Sequence, residues 1–379
     1  MDPLLSYARE QQQAQIELIR RLVEMESPSD DKAAVDRLGE FLADHLSPVA
    51  AIRIHGQRDC GNHLRAEFRL PGRKKSGQVL ALGHIDTVHA VGSLARMPFR
   101  VADGRLWGPG IFDMKTGIAI LIFAAQALRE FDRPVRRRLV LQLNSDEEVG
   151  SNGSRRITEA EARKSAAVLV LEPSAGLDGR AKTGRKGVGG YTVRITGKAA
   201  HSGLDFQAGA SATLELARQM LRIAEFTDPR RGITVNPGVI GGGTRVNVVA
   251  EQAWAEVDLR IARLADAPRL DRKFRALRPV DRRTRLEIQG GLNRPPLERT
   301  AAVISLYRRA QRIAEELGVE LGETQVGGGS DGNFTAALGI PTLDGLGAVG
   351  EGAHAAHESV LIDRLADRVA LLARLIESL

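Results

Sequence analysis

The sequence predicts an α/β domain, a sheet flanked by helices, interrupted by an inserted α+β sandwich. Three observations predict it. Val79 to Val88 (VLALGHIDTV), Arg138 to Asn144 (RLVLQLN) and Ala167 to Leu171 (AVLVL) are short apolar runs, the pattern of strands buried on both faces. Each runs out into metal-capable side chains: His84 and Asp86, then Asp146, Glu147 and Glu148, then Glu172. After Glu172 the patterning changes, and a compact series of strands and helices continues to about Gly290 before the first style resumes. In open α/β sheets the ligand crevice lies beyond the carboxyl ends of the strands, so these termini mark where a site belongs.

A chain of 379 residues is long for one core, and the division predicted is a discontinuous main domain, 1–184 and 293–379, with an insertion at 185–292. Hydrophobic residues at 43% and charged residues at 27% exclude bulk disorder. A net charge of +7 raises nucleic acid as a partner, through Arg136, Arg137, Arg138 and the Arg282, Arg283, Arg285 cluster. Aromatics are only 4% and acids are spread among the arginines, so these read as a solvated surface and no nucleic-acid partner is expected. The single cysteine, Cys60, can form no internal disulfide and reads as a small half-buried residue rather than a ligand or nucleophile. The apolar run Ile118 to Ala125 is too short for a membrane span and reads as a buried helix. The N-terminal MDPLLSYAREQQQ lacks a basic region followed by an apolar one, so the expectation is a cytoplasmic protein with no membrane partner.

In chain order, apolar spacing predicts a helix over Glu10 to Met25, a loop with an N-cap signal at Ser27 to Ser29, and a second helix over Asp30 to Leu46. Ala51 to His55 and Asn62 to Phe68 read as strands around a glycine turn. Trp107 to Gly117 (WGPGIFDMKTG) sets Asp113 between glycines and leads into a helix over Gly117 to Glu130; alone, this reads as a helix entry with Asp113 near its N-cap. Gly179 to Gly190 is glycine-rich and basic and reads as the outward crossing, with Gly290, Gly291, Pro295 and Pro296 as the return. Between them come strands at Tyr191 to Thr196, Ile233 to Ile240, Gln252 to Ile261 and Thr284 to Gln289, and helices at Ala208 to Ala224 and about Leu264 to Leu277. Helices at Ala301 to Leu317, Asn333 to Leu338 and Ile362 to Leu379, with a short strand at Thr342 and Leu343, complete the chain.

Two metal ions sharing a carboxylate need about five His, Asp and Glu ligands and an open position for water. His84, Asp113, Glu148, Glu172 and a histidine near the C-terminus meet that need. Side chains of neighbouring residues on a loop diverge, so of Glu147 and Glu148 one can ligate while the other serves as a general base. Two other motifs carry less. Gly328 to Gly332 (GGSDG) fits the G-x-S-x-G pattern with Ser330 as nucleophile, but no strong strand precedes it. Gly179 to Gly184 has phosphate-loop glycines, but Arg185 and Lys186 stand where Lys and Ser or Thr are required.

The chain resembles the M20 metallopeptidases, the group containing glutamate carboxypeptidase, acetylornithine deacetylase and succinyl-diaminopimelate desuccinylase. The resemblance rests on GHIDTV at Gly83 to Val88, GPGIFDMKTG at Gly108 to Gly117, SDEEVGS at Ser145 to Ser151, LEPS at Leu171 to Ser174, GKAAHSG at Gly197 to Gly203 and GAHAAHE at Gly352 to Glu358. GKAAHSG and the GGGSD at Gly327 to Asp331 look most like the glutamate carboxypeptidase branch. It implies a dinuclear-metal exopeptidase-type catalytic domain, built on a mixed sheet flanked by helices, and an inserted lid and dimerisation domain.

Carried over residue by residue, the resemblance implies that His84 and Glu172 bind one Zn²⁺ and Glu148 and His354 the other, with Asp113 bridging and Co²⁺ or Mn²⁺ as substitutes. The spacing H-x-x-x-E selects His354, with Glu358, over His357. Asp86 braces His84, and Glu147 is the general base. His201 reaches into the neighbouring subunit's site of a homodimer, and Asn247 and Arg294 hold the substrate's terminal carboxylate. The activity implied is hydrolysis of the amide bond to a C-terminal amino acid, glutamate first, in an N-acyl or peptidyl substrate with a free carboxylate. Deacylation of N-acyl amino acids, dipeptide hydrolysis and a non-catalytic binding role are the alternatives.

Overall fold

The structure is a computed structural model that describes residues 2–379. The chain divides into two compact units, one formed by residues 1–184, 299–326 and 330–379 and the other by 185–298 and 327–329.

The first unit is built on a six-stranded mixed sheet. Its spatial order is Ala50–His55, His63–Phe68, Arg138–Asn144, Gln78–His84, Ser165–Val170 and Thr342–Leu343. Arg138–Asn144 and Ser165–Val170 run parallel to Gln78–His84 on its two sides, and the first two strands are antiparallel. Alternation along each central strand sends side chains to two covered faces. Val79, Ala81, Leu139, Leu141, Ala167 and Leu169 join one core, packed with the helices Pro3–Glu10, Gln12–Glu24, Thr116–Glu130 and Leu365–Ser378. Leu80, Leu82, Val140, Val168 and Val170 join the core on the other face. The register pairs His84 with Asn144, so both strands end at one level, below the turn that carries Glu147 and Glu148.

Local chemistry moved several expected boundaries. Helix begins at Pro3, because the Asp2 carboxylate accepts the N–H groups of Leu4 and Leu5 and proline sits at the first helical position; Gln12–Glu24 is then a second helix. The next helix, Lys32–Leu46, is capped by Asp31 rather than by the serines. Ser27 and Ser29 instead donate to the Ile85 carbonyl and the Asp86 carboxylate, both at 2.7 Å. No period signal marks the helix Arg155–Ala162, or the small sheet of Arg100–Ala102, Arg105–Trp107, Gly350–Glu351 and Ser359–Leu361, whose strands are too short to show one. Ile111–Glu130 is long and apolar enough to cross a membrane by composition, but 89% of its most apolar window is buried inside the structure.

The second unit is a four-stranded antiparallel sheet in the order Thr234–Gly242, Gln252–Ile261, Gly187–Thr196, Arg285–Arg294. Val193, Ile195, Ala255, Val257 and Leu259 pack against the helices Ala212–Ala224 and Ala267–Arg275 through Leu216, Ile223, Leu270 and Phe274. The chain passes from the first unit to the second at Gly184 and Arg185, inside the glycine segment read as the outward crossing, but both glycine segments also hold strand: Gly179 to Gly190 contributes Ala181–Arg185 and the start of Gly187–Thr196, and Gly290 and Gly291 continue Arg285–Arg294. A β-carbon on Gly290, where φ is +123°, would lie 2.1 Å from the Gly190 carbonyl oxygen. Glycine here permits backbone contact rather than a turn.

Candidate metal centre

The expected donors come from four separate places in the first unit. His84 is the last residue of its strand, Glu148 lies in the turn after Arg138–Asn144, Glu172 follows Ser165–Val170, and Asp113 and His354 lie on loops. They form two groups that share Asp113: His84, Asp113 and Glu172, and Asp113, Glu148 and His354, with ligand atoms in each group within 4.8 Å of one another. His84 Nε2 is 3.4 Å from Asp113 Oδ1 and 3.5 Å from Glu172 Oε1. His354 Nε2 is 3.4 Å from Asp113 Oδ2 and 3.1 Å from Glu148 Oε1. One carboxylate therefore turns an oxygen to each imidazole.

Those spacings fit a cation. Ligands bound at about 2.0 to 2.1 Å in tetrahedral geometry stand roughly 3.3 to 3.5 Å apart. Asp113 Oδ1 is buried with no hydrogen bond, an acceptor that a cation would satisfy. The His84 ring is also set for ligation. Its Nδ1 lies 2.9 Å from the Asp86 backbone carbonyl, which only accepts, so Nδ1 carries hydrogen and Nε2 faces Asp113 and Glu172.

Electrostatics point the same way. Burial favours a neutral His84, but contacts to Asp113, Asp86 and Glu172 outweigh it and hold the ring well above its ordinary pKa. Contacts to Asp113 and Glu148 push His354 up to about 10. Burial lifts Glu148 above the usual carboxylate range, while Asp113, between two imidazoles, is held below it despite burial.

Asp86 meets His84 through both its carbonyl and its carboxylate. Its carbonyl rather than its carboxylate makes the short contact with His84; the nearest carboxylate oxygen is 3.5 Å away. The carboxylate accepts from Ser29 Oγ at 2.7 Å and from the backbone N–H groups of Glu147 and Glu148 at 3.2 and 3.1 Å. Asp86 thus ties the strand end holding His84 to the turn holding both glutamates. Glu147 is half-buried and its side chain joins neither donor group. That turn is held further along by Asp331, which accepts from Asn144 Nδ2 at 2.6 Å and Ser151 Oγ at 2.5 Å.

Glu358 does more than its spacing suggested. Fully buried, its carboxylate accepts the N–H groups of Gly110, Phe112 and Asp113 at 2.8, 2.8 and 2.9 Å, and meets His89 Nε2 at 2.9 Å. This holds the loop that presents Asp113, which is not an N-cap of the following helix. His354 adopts the left-handed conformation, φ +63°, and His357 joins neither group. Ser330 is fully buried and donates to Asp344 at 2.6 Å, an arrangement that holds a loop rather than exposes a nucleophile. The N-cap signal at Ser29 and the GGGSD motif ending in Asp331 pointed to neither of these contacts, because the partners lie far along the chain.

His201, Asn247 and Arg294 lie in the second unit. His201 is exposed, and its Nδ1 accepts the N–H groups of Gly203 and Leu204 at 3.1 and 3.2 Å. Asn247 is exposed and its carbonyl accepts from Ser202 N–H at 3.0 Å. Arg294 ends its strand, is 7% exposed and reaches Asn293 Oδ1 at 3.4 Å.

Known proteins resemble the chain over its whole length. It is 29% identical over 386 aligned positions to carboxypeptidase G2 of Pseudomonas sp. (strain RS-16), covering 99% of this chain and 92% of that one. Aminopeptidase PepT of Bacillus cereus has the same fold, with a TM-score of 0.79, 21% identity and coverage of 97% and 98%. So has YXEP of Bacillus subtilis, described as a dinuclear metal binding peptidase, with a TM-score of 0.69, 17% identity and coverage of 98% of each chain. Residues 80–378 match the family model of peptidase family M20/M25/M40, and the chain is a member of that family.

Proposed function

We propose that this chain is a dinuclear metallohydrolase that cleaves the amide bond to a C-terminal amino acid, glutamate foremost, in an N-acyl or peptidyl substrate. The observation that carries the reading is Asp113, one carboxylate shared by two groups of imidazole and carboxylate donors. Imidazole with carboxylate suits Zn²⁺, with Co²⁺ or Mn²⁺ as substitutes. When bound, two such ions acidify water and polarise a carbonyl.

The chain's own residues supply the rest. His84 and Glu172 hold one ion, Glu148 and His354 the other, and Asp113 both. Glu147, on the turn that Asp86 anchors, removes the proton of the attacking water and passes it to the leaving nitrogen. At His201, two backbone N–H groups occupy Nδ1, so Nε2 carries hydrogen and is a donor suited to a developing oxyanion. We assign it that role toward the site of a second copy. Arg294 and Asn247 are assigned to the substrate carboxylate, for which a planar guanidinium is apt.

The homodimer this requires would form through the second unit. Leu214 and Leu221, two turns apart on the helix Ala212–Ala224, are 54% and 73% exposed, and Val239 and Ile240 on the edge strand are 53% and 68% exposed. Such apolar side chains on a helix and an open edge favour a second copy.

The test is release of amino acid from a panel of N-acyl, peptidyl and folyl amino acids, before and after chelation and after zinc restoration. Zinc-restorable release, fastest from glutamate compounds, is expected. Preference for short N-acyl amino acids or dipeptides would replace the carboxypeptidase reading, and release indifferent to chelation would overturn the metal mechanism.

A further inference from the structure

Arg368, on the helix Leu365–Ser378, is 2% exposed. Its guanidinium donates to three backbone carbonyls: Nε to Gly347 at 2.8 Å, Nη1 to Gly179 at 3.2 Å and Nη2 to Gly345 at 2.5 Å. Among the described residues it makes no ion pair, and the adjacent Asp367 pairs with Arg364 at 2.6 Å instead. A buried charge without a counter-charge is costly, and a planar fork of N–H donors is the side chain that can hold several carbonyls at once. Two of the three carbonyls belong to one short loop, Gly345 to Gly347.

That loop runs along the segment that carries Glu172. Leu346 N–H donates to the Val170 carbonyl at 3.1 Å, Gly347 N–H to the Glu172 carbonyl at 2.9 Å, and Ser174 N–H to the Ala348 carbonyl at 2.9 Å. The approach is closest at Leu171. A β-carbon on Gly347 would lie 2.1 Å from the Leu171 carbonyl oxygen and 2.9 Å from that of Glu172; one on Gly117, in the helix Thr116–Glu130, would also lie 2.1 Å from the Leu171 oxygen. Two glycines therefore admit the backbone on which Glu172 stands, and a side chain at either would displace it. Glu172 is 7% exposed, with Oε1 3.5 Å from His84 Nε2. A single residue links guanidinium and ligand: the Gly347 carbonyl accepts from Arg368, and the Gly347 N–H donates to Glu172.

The other donor group hangs from different anchors. Between Gly347 and His354 the chain pairs Gly350 with Val360 and Glu351 with Ser359. Glu148 stands on the turn held by Asp86 and Asp331. We propose that Arg368 is a positioning residue for Glu172, fixing through Gly347 a ligand of one ion and leaving Glu148 and His354 to their own supports. The assignment rests on the reading of His84, Asp113 and Glu172 as ligands of one ion and of Asp113, Glu148 and His354 as ligands of the other. Without the fork, the buried Gly345 and Gly347 carbonyls lose their donors, the loop shifts, and the Glu172 carboxylate leaves the point it shares with His84.

Chelator competition for Zn²⁺ in two backgrounds of the full chain tests this. His354→Ala leaves His84, Asp113 and Glu172 to hold one equivalent, and His84→Ala leaves Asp113, Glu148 and His354. Arg368→Lys keeps the charge but replaces the fork with a point donor. In the His354→Ala background it should weaken Zn²⁺ binding by about tenfold or more, the scale of lost outer partners, and in the His84→Ala background it should change binding by less than about twofold. Gly347→Ala is a second lever that serves even if Arg368→Lys does not fold. Gly347 is outside the left-handed region, so the variant keeps Arg368 and only presses a methyl group on the Leu171 and Glu172 carbonyls; the same asymmetry is expected. Equal weakening in both backgrounds, or none in the His354→Ala background, would overturn the positioning role. Failure of both backgrounds to bind Zn²⁺ before any further change would instead overturn the proposed division of ligands between two ions, and the role of Arg368 with it.

Discussion

Glu358 Oε1 accepts the backbone N–H of Asp113 at 2.9 Å, across 245 residues of sequence. The same carboxylate accepts the N–H groups of Gly110 and Phe112, so one buried side chain holds the loop that presents Asp113. Glu358→Gln keeps one acceptor oxygen and turns an amide NH₂ toward N–H donors. We expect the variant to lose about 10- to 100-fold in metal affinity, as outer partners of ligands do. Competition with a chelator of known affinity would measure it, and unchanged affinity would show that the loop holds its shape unaided.

Glu147 lies on the turn that Asp86 anchors, and its side chain joins neither donor group. Glu147→Ala should bind two equivalents of metal at the Asp113-centred pair as the wild type does, and lose about 10² to 10⁴ in kcat. Metal analysis paired with turnover separates the roles. A metal-loaded variant with wild-type kcat would remove Glu147 as the base.

The raised imidazoles set the direction of pH dependence. With His84 well above its ordinary pKa and His354 at about 10, metal entering at neutral pH displaces protons. Apparent metal affinity should therefore rise with pH, by roughly tenfold per unit for each proton released. Calorimetry in buffers of different ionisation enthalpy counts those protons. In the metal-free protein the sign is opposite: the His354 contribution to stability is fully present below about 6.5 and is lost as pH rises through about 10.

Away from the metal groups, Glu161 contributes to acid behaviour. Burial opposes its charge, but Gln78, Lys164 and Arg65 outweigh burial and hold the carboxyl at about 2, below its ordinary 4.5. Its contribution is present above about pH 4.5 and is lost as pH falls through about 2, amounting to about 3 kcal/mol at most. Glu161→Gln should flatten the fall in unfolding free energy across that window. An unchanged acid limb would assign the fall to other carboxylates.

How much was legible in the sequence follows from how local each signal is. Apolar runs bounded by charged residues identify the central strands, and strand ends are where side chains leave the sheet, so His84, Glu148 and Glu172 could be marked from residues a few positions apart. The glycine segments hid their strands for the same reason: glycine breaks a local pattern whether the chain turns or, as at Gly190 and Gly290, another strand passes close by.

By itself, then, the sequence determined the central strands, the donor types at their ends and the family to which the chain belongs. Only the tertiary structure decided which donors meet. Asp113 faces both imidazoles because Glu358 gathers its loop, and Asp86 serves the Glu147 turn through its carboxylate and His84 through its carbonyl. Each of these rests on hydrogen bonds or close approach between segments far apart in sequence. Such contacts leave no periodic trace, because the residues on either side of each partner answer to their own strand, helix or turn.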